Sequence, residues 1–309
     1  MTNPKSLTSV RREFHDKGIY YTPPELAKAL LKYVDVKPNS VYDPTCGSGN
    51  LLSVFDDSVD KYGQELDPEQ LGICYDTMQR FHGYAGDTLT DDGFKGRVFD
   101  CIMANPPFSI KWNSKNVAAD DERFNTCPVL PPDGKADWAF LLHIINHLSD
   151  DGVAVVLGFP GILYRGNREA KVREWFVRNN YVDRVVHIPG NTFEDTAIAT
   201  CVLVLRKNKS TTDITFEDTE LGESVTVQFC DVEKNKFNLS VSSYITKPDT
   251  RPVYTQADID DMGKVACDAL LKRVRANFDF EKLSSSIGGV DHSDYLAEGL
   301  KSILSQYGY

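Results

Sequence analysis

Along the first two thirds of the chain, short apolar runs alternate with segments whose apolar residues recur every three or four positions. That alternation is the pattern of strands joined by helical crossovers, and it predicts an α/β layer fold. The spacing of Leu26, Ala27, Leu30 and Leu31 predicts a helix over 23–34, with Pro24 in its first turn, where a missing N–H costs nothing. Strands are expected at 40–43 (SVYD), 63–66 (GQEL), 83–87 (GYAGD), 98–105 (VFDCIMAN) and 153–159 (VAVVLGF). Helices are expected over LLSVF after the first strand and over 68–81, 138–148 and 168–179. The runs 182–189 and 200–207 lie too close together for a helical crossover. They are expected to pair antiparallel, as a hairpin at one edge of a mostly parallel, doubly wound sheet.

Around 208–222 the sequence turns polar and acidic, which suggests a catalytic domain over 1–209 and a small extension over 210–309. The extension offers short strands at VTVQF and FNLSVSSYI and an amphipathic helix over 256–278. With 309 residues, 41% hydrophobic and 26% charged, the chain has the composition of a globular protein. No apolar run approaches the roughly 18 residues of a membrane span, so a soluble, cytoplasmic protein without membrane contacts is expected. The seven cysteines are scattered and form no C-x-x-C pair, which fits reduced thiols rather than disulfides or a zinc site. A net charge of −11 argues against a surface that is basic overall, as phosphate binding would favour. A local basic strip remains at 163–178, where Arg165, Arg168, Lys171, Arg173 and Arg178 outnumber Glu169 and Glu174. It fits the solvated face of a helix as well as it fits a DNA contact.

The chemistry gathers at the predicted strand ends. The first strand runs out into Asp43, Pro44, Thr45, Cys46, Gly47, Ser48 and Gly49, a loop whose glycines permit close approach of a ligand to the backbone. It is neither a Walker loop nor the G-x-G-x-x-G dinucleotide pattern. The second strand delivers Glu65, the third Asp87 and the fourth Asn105. An acid at the end of the second strand of a doubly wound sheet can accept both hydroxyls of a ribose, and ligands of such sheets bind outside the carboxyl ends of the strands. Singly, each residue fits a capping role; as an ordered set they point to a nucleoside-type ligand. Behind Asn105 stand Pro106, Pro107 and Phe108. Two prolines make a stiff, non-helical exit with no backbone N–H, although Pro-Pro also occurs at 23–24 and 131–132 and alone proves little.

In these motifs the sequence resembles the S-adenosylmethionine-dependent amino-methyltransferases of DNA, most closely the modification subunits of type I restriction-modification systems. DPTCGSGN is similar to their methionine-binding loop, GQE to their ribose-binding acid, GD to their adenine contact and NPPF to their catalytic tetrapeptide. KGIYYTP, with Tyr20, Tyr21, Thr22 and Pro23, resembles their N-terminal cofactor segment, and the likeness extends over roughly 17–207. The resemblance implies a Rossmann-like class I methyltransferase with S-adenosyl-L-methionine as cofactor, transferring a methyl group to the N6 amine of adenine in DNA. Asn105 and the Pro106 carbonyl would accept the two N–H bonds of that amine. Transfer would be direct, with no covalent enzyme intermediate and no metal. A base in duplex DNA must flip out to reach such a site. Phe108 is then the expected stacking face and Phe193 the second.

The family's modification subunits usually carry a helical region before the cofactor segment, of which little is seen here, and 210–309 offers no obvious large recognition domain. Either a specificity subunit of a restriction-modification complex supplies recognition, or a compact form reads DNA itself. In the second case Lys111, Trp112, Lys115 and Arg123 of the 109–136 loop are candidate contacts, beside Arg165 and Arg168. The same amide chemistry also serves cytosine N4, guanine amines of ribosomal RNA and glutamine amides of proteins. A non-catalytic acidic partner protein that keeps the fold is a further alternative.

Overall fold

The computed structural model describes residues 22–118, 120–190, 199–246 and 254–306. Tyr20, Tyr21 and Phe193 lie outside them. Helix α1 spans Pro24–Leu30, buries Leu26, Ala27 and Leu30, and runs on into a single 3-10 turn at Leu31–Tyr33. Strand β1 is Ser40–Asp43 and β2 is Asp60–Glu65. Between them LLSVF closes into successive turns on Gly49 rather than a helix, with the Leu52 and Ser53 amides both donating to the Gly49 carbonyl at 3.0 and 2.9 Å. Helix α2, Pro68–Thr77, starts on the Asp67 side chain, which accepts the Glu69 amide. It stops at Thr77 rather than 81 because Met78 is already extended, and the chain then turns at Arg80, φ 53°, to enter β3, Phe81–Ala85. Strand β4 is Phe99–Ala104, and a short helix α3, Glu122–Asn125, interrupts the long connection to α4, Asp137–His147. Strand β5, Leu148–Gly158, leads to α5, Asn167–Arg178, and then to β6, Val182–Ile188, and β7, Thr200–Leu205.

The sheet has nine strands in the order β3-β2-β1-β4-β5-β7-β6-β8-β9, where β8 is Ile214–Asp218 and β9 is Glu223–Val227. Strands β3 through β5 are mutually parallel; β7 runs antiparallel between β5 and β6, as the short connection requires. Successive strand residues enter opposite cores. Tyr42, Ile102 and Ala104 pack with α4 and α5, whereas Val41, Cys101 and Met103 pack with α1 and α2. Both faces of the sheet are therefore covered, as parallel strands demand.

The sheet continues past the boundary expected at 209/210. Strand β8 pairs parallel with β6, and β9 pairs antiparallel with β8. Ile214, Phe216 and Asp218 are buried while Thr215 and Glu217 lie between them half-buried, so half of the strand is polar and the run resembles a loop. A short helix, α6 at Phe229–Lys234, and the FNLSVSSYI segment fold back onto the sheet. That segment is not a strand: Leu239, Val241 and Ile245 are buried around a 3-10 turn, and Tyr244 stacks on Phe216 with ring centroids 4.0 Å apart. The chain divides into compact units at Lys247/Pro248 instead. The second unit holds α7, Gln256–Ser286, and α8, Ser293–Gln306. Helix α7 runs beyond the expected 278, starts in a Thr255/Asp258 capping box and has no buried residue. No described helix is long and apolar enough to cross a membrane. Five cysteines are buried free thiols, and Cys230 and Cys267 are exposed.

Candidate active site

The chain runs outward from β1 to β2 and β3, then returns to place β4 on the other side of β1. That reversal is the topological switch point of the sheet, where a crevice opens at the carboxyl ends of the strands. A cavity of about 350 Å³ lies there, within the range of small-molecule sites. Its wall includes Thr22, all residues from Asp43 to Ser48, Glu65, Asp87, Asn105 and Pro107. Asn50, the last residue of the DPTCGSGN motif, lines it too, as do Asp67, Thr88, Ile110 and Phe140, which sequence reasoning did not single out. Ile110 and Phe140 come from the 109–136 segment and α4, and only folding brings them to the strand ends.

Each polar member is held by its own turn. Asp43, 1% exposed, accepts the Thr45 amide at 3.0 Å. Burial pushes its carboxyl up to about 8, against the pull of the Thr45 amide and with the charge of Glu65 adding to the rise. Glu65 accepts the Gly47 amide on one oxygen at 2.9 Å and the Leu66 and Asp67 amides on the other at 2.9 and 3.1 Å. A carboxylate offers about four lone-pair sites, so one direction remains for a ligand hydroxyl. Asp87 caps its turn by accepting the Leu89 amide at 3.0 Å and the Thr90 hydroxyl at 3.1 Å. The 43–49 loop owes its shape to Gly47 and Gly49, at φ 51° and 86°. A Cβ on Gly49 would stand 2.4 Å from Met78 Cε and 3.0 Å from Cys74 Sγ. These donors, acceptors and dimensions fit a nucleoside carrying an amino-acid end.

Asn105, half-buried at the end of β4, donates from Nδ2 to Thr22 Oγ1 at 3.1 Å, and Asn50 Nδ2 donates to the Thr22 carbonyl at 2.8 Å. Thr22 thereby joins the strand-four turn to the glycine loop. Pro23 caps α1 rather than lining the cavity. Pro106, Pro107 and Phe108 border a separate narrow crevice with Asp137, Gly158 and Ile162, so Pro107 stands between that crevice and the cavity. Past Phe108 the chain turns sharply at Ser109, φ 53°, whose amide donates to Asp137 Oδ1 at 3.1 Å.

The expected DNA contacts separate into two groups. Lys111, Lys115, Arg168 and Lys171 are exposed. Arg165 is turned inward: it donates to Ser109 Oγ at 3.2 Å, pairs with Glu169 at 3.3 Å and lies 3.9 Å from Asp137. Arg173, 3% exposed, donates to the carbonyls of Phe237, Ile162 and Arg165. Trp112 is buried against Phe124 and donates to the Pro132 carbonyl at 3.0 Å, and Arg123 is 6% exposed. The strip is thus half surface and half brace, because apolar neighbours absorb the long stems and backbone carbonyls absorb the charge.

One group with metal-ligating side chains occurs among the described residues, Asp92 with His143 and His147. Its atoms already have partners. His143 bonds Tyr42 at 2.9 Å and Arg123 at 3.1 Å, while His147 bonds Asp92 at 3.1 Å and the Arg97 carbonyl at 2.7 Å. Burial alone would raise the Asp92 carboxyl, but the His147 hydrogen bond and the charges of His147 and Arg123 outweigh it and hold it at about 2. A guanidinium 3.7 Å from the carboxylate supplies the positive charge there, so the group is an ion-pair network rather than a cation site.

Residues 8–224 match the family described as N-6 DNA Methylase. Over 227 residues the chain is 34% identical to the type I restriction enzyme MpnII methylase subunit of Mycoplasma pneumoniae, covering 64% of this chain and 42% of that one. It is 30% identical over 211 residues to the MjaIX methylase subunit of Methanocaldococcus jannaschii, covering 62% and 38%. The chain thus spans less than half the length of these relatives. The structure is similar to the type I restriction-modification methyltransferase subunit of Streptococcus thermophilus, with a TM-score of 0.66, 29% identity and coverage of 73% and 59%. A mostly parallel sheet with an antiparallel continuation, four polar strand ends on one cavity and a family match over most of the chain agree, and the chain belongs to the N-6 DNA methylase family.

Proposed function

We propose that this chain carries the catalytic site of an S-adenosylmethionine-dependent methyltransferase acting on the N6 amine of adenine in DNA. The observation that supports it most is the convergence of Asp43, Glu65, Asp87 and Asn105 on one cavity at the switch point of the sheet. In this reading the 43–49 loop holds the amino-acid end of the cofactor, Glu65 the ribose and Asp87 the adenine, with Ile110 and Phe140 as apolar walls. When bound, S-adenosylmethionine supplies an electrophilic sulfonium methyl.

The chain's own residues do the positioning. The N6 amine of adenine is a poor nucleophile because its lone pair is delocalised into the ring. The Asn105 side-chain oxygen and the Pro106 carbonyl accept its two N–H bonds, which pulls the nitrogen toward tetrahedral geometry and frees its lone pair to point at the methyl to be transferred. The gain comes from fixed dipoles and orientation rather than from a strong base. Pro106 and Pro107 keep those acceptors rigid and add no competing N–H. Phe108 offers a stacking face for the extruded base, and Phe193 a second one. Lys111, Lys115, Arg168 and Lys171 remain as phosphate contacts, few for a chain of net charge −11. A specificity subunit within a restriction-modification complex would supply the rest of the positive charge and the sequence readout.

The test is transfer of a tritiated methyl group from S-adenosylmethionine to DNA, RNA and protein, with and without a specificity subunit. Label in DNA as N6-methyladenine, lost in Asn105→Ala, is the expected result. Label in RNA or protein, or as N4-methylcytosine, would overturn the substrate.

A further inference from the structure

Arg123 lies in the connection between β4 and α4, a stretch that on sequence resembles a surface loop over DNA. Its side chain is 6% exposed and points under the cavity. Guanidinium carries five N–H donors in a fixed plane. Here every one has an acceptor. Nε donates to Asp121 Oδ1 at 2.9 Å, Nη1 to the Thr88 carbonyl at 2.6 Å and to His143 Nδ1 at 3.1 Å, and Nη2 to the Leu89 carbonyl at 3.2 Å and to Asp121 Oδ2 at 2.7 Å. Since Arg123 can only donate, His143 Nδ1 accepts and its Nε2–H faces the Tyr42 hydroxyl at 2.9 Å. Burial first, and then the charges of His147 and Arg123, push His143 well below its ordinary range, in keeping with a neutral ring.

Thr88 and Leu89 directly follow Asp87, and Thr88 lines the cavity. The same turn is gripped from its other side by Gln64, which donates to the Gly86 and Asp91 carbonyls at 3.3 and 2.6 Å and accepts the Gly93 amide at 3.2 Å. The Thr88 hydroxyl also donates to the Pro44 carbonyl in the glycine loop. Without Arg123, two buried carbonyls next to Asp87 would lose their donors, and the turn would relax. Tyr42, one residue before Asp43, is tied to the same arginine through His143.

From this geometry we infer that Arg123 is a positioning residue for the adenosine end of the cofactor: by holding the Thr88 and Leu89 carbonyls it fixes the Asp87 turn. This rests on the proposed function, because it takes the cavity as the cofactor site. It also turns the inner side of the 109–136 segment toward the cofactor site, where a DNA contact was expected.

The experiment is calorimetric titration of the full chain with S-adenosylhomocysteine and with 5′-methylthioadenosine, which lacks the amino-acid end. Arg123→Lys keeps the charge beside Asp121 and Asp92 but concentrates three donors on one nitrogen, too few and too localised for five acceptors. It should weaken both ligands by about tenfold or more. Asp43→Asn, in the glycine loop that takes the amino-acid end in this reading, should weaken S-adenosylhomocysteine and spare 5′-methylthioadenosine. A second readout uses the parent chain alone: 5′-methylthioadenosine should slow trypsin cleavage after Lys111 and Lys115. Arg123→Lys binding both ligands within twofold of the parent, or cleavage unaffected by ligand, overturns the role of Arg123. A parent chain that binds neither ligand overturns the proposed function itself.

Discussion

Two of the turns that deliver site residues to the cavity are each braced by an arginine from further along the chain, yet the braces differ. The Asp87 turn is flexible by composition, and Arg123 and Gln64 hold it carbonyl by carbonyl. The Asn105 turn is stiffened by Pro106 and Pro107, and Arg165 reaches it only beyond the prolines, through the Ser109 hydroxyl and the Asp137 carboxylate. Prolines reduce the number of conformations that a brace must exclude. A turn without them needs its backbone acceptors gripped directly. The difference predicts that the Asn105 turn survives loss of its arginine better than the Asp87 turn survives loss of Arg123.

The largest effect should come from the acceptor itself. Asn105→Ala is expected to lower methyl transfer by about 100- to 1000-fold while ligand affinity, measured by calorimetry, changes little. That separates chemistry at the Asn105 turn from binding at the Asp87 turn. Gly49→Ala should come next, costing about 2–3 kcal/mol in chemical denaturation, because a Cβ meets Met78 and a positive φ is imposed on alanine. Smaller again, Arg165→Ala should reduce kcat about tenfold and leave the dissociation constant for S-adenosylhomocysteine within twofold, with Arg165→Lys restoring part of the loss. Equal loss of ligand binding would erase the contrast between the two braces.

A pH experiment sharpens the comparison from the side of the glycine loop. Asp43 sits at about 8 in the fold against 3.8 for an ordinary carboxyl, so between those values the folded chain holds a proton that the unfolded chain has released. Stability therefore falls as pH rises through that window. Asp43→Asn should flatten the fall in thermal midpoint between pH 4 and 8. The smallest effect expected is at the surface: Lys111→Ala should lower the salt slope of DNA binding by about one unit without touching ligand affinity.

Much of the polar wall of the cavity was legible in order along the chain. Asp43, Glu65, Asp87 and Asn105 each end a predicted strand, and strand periodicity is set by local burial on two faces, which one sequence displays. The 208–222 stretch was misleading for the same reason reversed: β8 alternates Ile214, Thr215, Phe216, Glu217, and a strand of half-polar residues looks like a linker. Arg123, Arg165, Arg173 and Trp112 were also misplaced. A long cationic or aromatic side chain in a polar stretch carries no mark of which way it points, and here buried carbonyls and carboxylates draw these side chains inward.

The sequence by itself determined which residues stand at the carboxyl ends of β1 to β4, because apolar runs fix the strands and chain order fixes the residue at the end of each. Only the tertiary structure decided that these ends meet on one cavity, since β4 must return to the far side of β1. It alone decided which cations brace the cavity and which face solvent. Those outcomes depend on where unsatisfied backbone carbonyls are buried, and burial is a property of the packed layers rather than of any local stretch of chain.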